Sequence, residues 1–256
     1  MALNRSLAYR AGCGPVQRSG RTRIATGLAS RKDRVTMKKR GIVCMVSTII
    51  LATFTQAQSP PAAPLREVGG QTLISNELPR AELTFAKEFR YVGGQDVTLY
   101  GMVDAEQHIF VVAGAGSVVE RFYWVQFEHR LPTDKHTYRY QGRTTDISGF
   151  SFIYDTRSWP DYAANNAVDP GSDGAAIGRL LAEHSLRFPD RVARVRMFHL
   201  PTPDRRSELM IIYGEALPDG SDVPVRPGGV VLDEEAPAAA LTLLEHARRD
   251  VTIRKP

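Results

Sequence analysis

The sequence predicts an α+β fold: a predominantly antiparallel sheet of six or seven strands, one packed amphipathic helix and a possible C-terminal helix. Three observations carry this. Residues 99–129 hold three runs rich in β-branched and aromatic side chains, broken by an acidic turn at 104–106 and a glycine turn at 114–116. Connections between strand-like runs are short, which favours antiparallel neighbours over crossovers. One stretch, 173–188, repeats apolar side chains at helical spacing through Ile177, Leu180, Leu181, His184 and Phe188.

Taken in order, 82–90 reads as a first strand, and Gly93 and Gly94 as the turn into 97–103. The three-stranded meander follows. A two- or four-residue hairpin at 114–117 would set His108 opposite Tyr123 and Phe110 opposite Arg121. Residues 131–145, with Pro132, Lys135, His136, Tyr138 and Tyr140, are a long loop or a weak edge strand. Phe150, Phe152 and Tyr154 alternate over 149–155, as in a strand with one buried face.

A loop is expected over 159–173, ending at Ser172 and Asp173, either of which can cap the helix after it. Gly174 and Gly178 weaken that helix, so packing must hold it. His184 reads as a core histidine, and Pro189 stops the helix. Residues 192–200 alternate, Val195 and Met197 on one side, Arg194 and Arg196 on the other. Residues 208–215 are apolar on both faces and read as a central strand. A terminal helix is expected over 234–250 through Leu241, Leu244 and Ala247, with Pro237 tolerable in its first turn. The resulting division is a linker at 58–80, a single α+β domain over 81–217, and a Pro/Gly-rich linker with a helical tail over 218–256.

The net charge of +5 averages two unlike parts. Residues 1–57 carry eleven Lys and Arg against one acid, Asp33, while the remainder is acidic with a net of −5. A nucleic-acid partner is therefore not expected from the high pI. Both cysteines, Cys13 and Cys44, also precede residue 58, which excludes disulfides, thiol nucleophiles and Cys-ligated metals from the body. Met37, the basic Lys38-Lys39-Arg40, the apolar run 42–54 and Thr55-Gln56-Ala57 form the pattern of a secretory signal peptide. That run is shorter than the ~20 residues a bilayer span needs, so no stable span is expected after cleavage. The rival readings are an anchor through 41–57 and a mitochondrial leader in the Arg- and Ser-rich, acid-poor 1–36. The first reading of that leading stretch is an upstream over-call, with Met37 as the true start.

The candidate chemistry is sparse. Asp104, Glu106 and His108 alternate, and a carboxylate–imidazole pair suits general base work. Glu128 is a further candidate acid, although its neighbour His129 faces the other way in extended backbone. Tyr123 and Trp124 are candidate binding aromatics, and Arg194 with Arg196 a candidate anion-binding face. No short-spaced His or Cys set suggests a metal, no Gly-x-Ser-x-Gly elbow occurs, and Gly114-Ala115-Gly116 lacks the context of a dinucleotide loop. No cofactor is expected. The reading that follows is an exported, non-enzymatic binding or envelope-associated module with a hydrophobic groove between sheet and helix and a small-molecule or envelope partner. The alternative is a hydrolase using Glu106 or Glu128 with His108.

Overall fold

The computed structural model describes residues 65–255. The stretch 37–57 read as a signal peptide, both cysteines and the basic N-terminal part lie outside the described residues. The chain runs β1 (Arg66–Gly69), β2 (Thr72–Ser75), β3 (Ala81–Phe85), β4 (Arg90–Leu99), β5 (Val103–Ala113) and β6 (Val119–Arg130). It continues through β7 (Arg143–Ile147), β8 (Phe150–Trp159), α1 (Tyr162–Ala167), α2 (Asp173–Glu183), β9 (Val192–His199) and β10 (Ser207–Ala216). It closes with β11 (Val230–Val231), α3 (Leu232–Glu235), α4 (Pro237–Arg249) and β12 (Val251–Arg254). Sheet-rich and antiparallel, the fold is α+β as expected, but among the described residues it has twelve strands and four helices rather than six or seven and one or two.

Two sheets form. The small one has the order β1-β2-β3-β12, and the large one β11-β8-β9-β10-β6-β5-β4, with β7 also paired to β8. Two strands therefore stand in the stretch read as a linker before residue 81. The tail read as separate returns as β12, pairing with β3 through Val251↔Phe85 and Ile253↔Leu83. The inward row of β3, Ala81, Leu83 and Phe85, packs the small sheet and α4 onto one face of the large sheet, against Phe110, Tyr123, Ile211 and Tyr213. On the opposite face α1 and α2 cover Phe122, Trp124, Ile212 and Phe198. Ile177, Leu180 and Leu181 of α2 and Tyr162 of α1 pack into this cluster.

β10 lies between β9 and β6, the central position its two-sided apolar pattern predicts. The glycine hairpin is where expected, but the register slips by two residues: Phe110 faces Tyr123 and His108 faces Val125. An even slip keeps every side chain on its own face. The acidic stretch is not a turn. Asp104 and Glu106 sit inside β5, and the reversal occurs at Tyr100 and Gly101, both with positive φ. Gly93 and Gly94 likewise lie within β4, at a bulge.

α2 begins where Ser172 Oγ accepts from the Ala175 N–H at 3.1 Å. It ends at Glu183 because Ser185 adopts φ 56°. His184 is thus an exposed C-cap rather than a core residue. Within the expected 159–173 loop the chain forms α1. In α4 Pro237 occupies the first turn, but Leu243 faces inward with Leu244 and Ala247, while Leu241 is 50% exposed. Among the described residues no helix is long and apolar enough to cross a membrane.

Candidate functional site

An open cleft of about 670 Å³ is lined by residues of both sheets. Leu65 and Arg66 at β1, and Glu77 and Leu78 after β2, form one wall. Asp96 and Thr98 of β4, Asp104 and Glu106 of β5, and Phe127 and His129 of β6 line the other. Strand alternation explains the second set: residues paired across β4, β5 and β6 share a face, as in Asp96↔Glu106↔Phe127 and Thr98↔Asp104↔His129.

Glu106 is the best-connected group of the cleft. Its Oε2 accepts from Arg66 Nη1 at 2.6 Å and its Oε1 from His108 Nε2 at 2.8 Å. Burial would raise its carboxyl, but hydrogen bonds from His108 and Arg66, with their charge, outweigh burial and hold it below the usual carboxylate range. The Arg66 guanidinium also rests 3.9 Å above the Phe127 ring. Behind Glu106, the Tyr91 hydroxyl lies 3.1 Å from His108 Nδ1. A neutral imidazole satisfies both contacts by donating from Nε2 to Glu106 and accepting at Nδ1 from the phenol. The Tyr91 hydroxyl is itself pushed up by burial and by the Glu106 charge.

The glycine pair of β4 makes this chain of contacts possible. A Cβ on Gly94 would stand 2.7 Å from His108 Nδ1 and 2.8 Å from the Tyr91 oxygen. The glycine therefore marks a close crossing and not a turn.

His108 is only 6% exposed, and both of its nitrogens are engaged. It is a framework residue bracing the cleft wall. His108→Ala is expected to destabilise the fold by about 1–3 kcal/mol, because Tyr91 and Glu106 each lose a partner. Urea melts measure this; an unchanged midpoint would instead mark a site residue free of structural duty.

The other sequence candidates separate. Glu128 also borders the cleft, but it pairs with Ala105, so its side chain projects from the opposite face to Glu106, and its carboxylate is taken up by Gln126 and Tyr138. Tyr123 and Trp124 are fully buried, the first donating to the Ala247 carbonyl at 2.7 Å and the second to Gln126 Oε1 at 3.0 Å; neither can meet a ligand. Arg194 and Arg196 do not present a solvated anion-binding face. Arg194 stacks 4.5 Å over Trp159, and Arg196 forms a bidentate pair with Asp155 at 3.2 and 2.6 Å.

Sequence reasoning missed Arg66 and Tyr91, and also the contact of His129 Nδ1 with Ser207 Oγ at 2.9 Å on the cleft rim. Among the described residues no carboxylate hydrogen-bonds to His129: Asp104, opposite it in register, accepts from Thr98 Oγ1 at 3.0 Å, and the nearby Asp204 accepts from Thr202 and the Arg206 N–H. Among the described residues no group of three His, Cys, Asp or Glu is placed to hold a metal ion.

No protein-family model, curated protein sequence or solved structure matches this chain.

Proposed function

We propose that the protein is an exported, non-enzymatic binding module that takes a small amphipathic molecule, cationic group inward, in the cleft between the two sheets. The observation that carries this is the state of Glu106. Both of its oxygens are already engaged, and the imidazole behind it has no nitrogen left for a substrate. General base catalysis needs a group within reach of the proton it removes, and a fully committed pair offers none. The outer acids are differently placed: Asp96 is exposed and has no hydrogen-bond or ion-pair partner among the described residues. The half-exposed Leu65 and Leu78 (54% and 56%) supply an apolar wall beside these acids. An apolar lining with a few convergent polar groups is the usual form of a small-molecule site. Export rests on the pattern over 37–57.

One preparation tests both halves. The full-length gene product is purified from the extracytoplasmic fraction, its N-terminus is sequenced, and native mass spectra are recorded. The expected N-terminus is Gln58. Hexylammonium is expected to raise the melting temperature where hexanoate does not, and Asp96→Ala to weaken that shift. An intact N-terminus at Met1 overturns export. Equal responses to the two probes, with no co-purifying small molecule, overturn the binding reading.

A further inference from the structure

The opposite face of the same strand ends holds a second polar arrangement. Glu128 on β6 and Glu208 on β10 are direct cross-strand partners. Such pairs bring Cβ atoms to about 5 Å, and like charges there repel. Glu208 is 1% exposed. Its Oε2 accepts from the Tyr140 hydroxyl, while its Oε1 is buried with no hydrogen-bond partner. Glu128 Oε2 accepts from the Tyr138 hydroxyl at 2.6 Å and its Oε1 from Gln126. Both tyrosines belong to residues 131–142, which form neither strand nor helix. This segment crosses the strand ends as a strap: Tyr138 stacks on Tyr140 and Tyr140 on Phe198, centroids 6.3 and 4.0 Å apart. Arg206 fixes its first half, donating to the carbonyls of Arg130, Leu131, Asp134 and His136.

The charged and titratable groups facing Glu128 are Asp173 at the start of α2, Arg130 on its own strand and Tyr138 on the strap. Those facing Glu208 are Glu128, Tyr140, Arg196 on β9 and Arg130. Arg196 is already committed to Asp155, and Arg130 to Asp134. Two ionised carboxylates in this position would leave an unhydrated charge beside a like charge, an arrangement that retains a proton instead. Burial, then the Glu128 charge, drives the Glu208 carboxyl well above its usual range, and burial raises Glu128 as well.

We propose that Glu128 and Glu208 hold one proton between them, and that this proton keeps the 131–142 strap closed over the large sheet. Glu208 Oε1 is its natural seat, since it is the one oxygen of the pair with no donor beside it, and protonation there cancels the charge. Each phenol already donates to its carboxylate, so full ionisation gains no new donor from the strap. Movement of Tyr138 and Tyr140 would admit water to the second charge on the buried Glu208. The sign follows from linkage. A carboxyl whose folded pKa is raised contributes nothing unfavourable below the unfolded value, and its stabilising proton is lost as pH climbs through the folded value. The strap therefore loosens towards alkaline pH.

Hydrogen exchange of the full chain tests this between about pH 5 and about pH 9, a window opening just above the ordinary glutamate range. After correction for intrinsic rates, strap peptides of the wild type are expected to lose protection several-fold as pH rises, while peptides from β9 stay flat. Glu208→Gln, which keeps shape and an acceptor for Tyr140 without a titrating group, is expected to abolish the rise. Wild-type strap protection that stays constant, or a Gln variant that follows the same rise, overturns the proposal. Should that variant not fold, infrared titration of the wild type decides. A carboxylic-acid carbonyl band that persists at neutral pH and vanishes as the strap opens supports the shared proton; absence of that band at neutral pH overturns it.

Discussion

Trp124→Ala is expected to lower the unfolding free energy by about 3–5 kcal/mol, the range for truncating a large buried aromatic. The indole is 1% exposed and sits on β6, with Ile109 of β5 and Ile212 of β10 directly across from it. Strands on both sides restrain the backbone, so the space it leaves cannot close by collapse. Ile177, Leu180 and Leu181 of α2 belong to the same buried cluster and lose their packing surface. A polar loss adds to this, because the indole N–H donates to Gln126 Oε1, an acceptor shared with Gln107 at 2.7 Å. Urea unfolding at constant m-value measures the sum. A loss below about 1.5 kcal/mol would mean that the α1–α2 layer repacks onto the sheet, since values that small accompany conservative core changes.

The two-sided character of the large sheet was legible from composition, because burial on both faces demands the runs seen at 122–127 and 209–213. The start of α2 was legible for a local reason too, a serine in place to cap exposed N–H groups. What could not be read locally was closure. β3 pairs with β12 from the far end of the chain, and four-residue strands such as β2 carry too short a pattern to stand out from a linker. α1, reading Tyr-Ala-Ala-Asn-Asn-Ala, has a single buried residue, Tyr162, and so no stripe.

The same distinction divides the cleft. Glu106 and His108 were visible as a carboxylate and an imidazole on one strand face, and they do meet. Their partners were hidden. Arg66 belongs to a stretch that looks like a linker, and Tyr91 reaches His108 only because Gly94 lacks a side chain, a steric reason that looks like a turn signal in sequence. The acidic stretch misled for a related reason. Asp104 is solvated as a turn residue would be, but at an exposed strand end beside Thr98. Glu208 carried no sequence signal of its burial, which depends on Tyr140 and Phe198 arriving from other segments.

Ile211→Ala is expected to cost about 2–5 kcal/mol through lost burial and a residual cavity. Ile211 is wholly buried at the middle of β10, with Val125 of β6 and Met197 of β9 as its cross-strand partners. Its side chain points into the space between the two sheets, in the cluster that Leu83, Phe85 and Ile253 enter from the small sheet. Truncation therefore removes contacts from both layers at once, whereas a residue on an edge strand would lose one neighbour and gain solvent. Ile211→Val isolates the cavity contribution, with an expected cost of about 0.5–1.5 kcal/mol. Denaturant melts of the two variants give the ratio directly. A cost below about 1 kcal/mol for the alanine variant would place it among the substitutions tolerated at surfaces, and would contradict a central β10 flanked by β9 and β6.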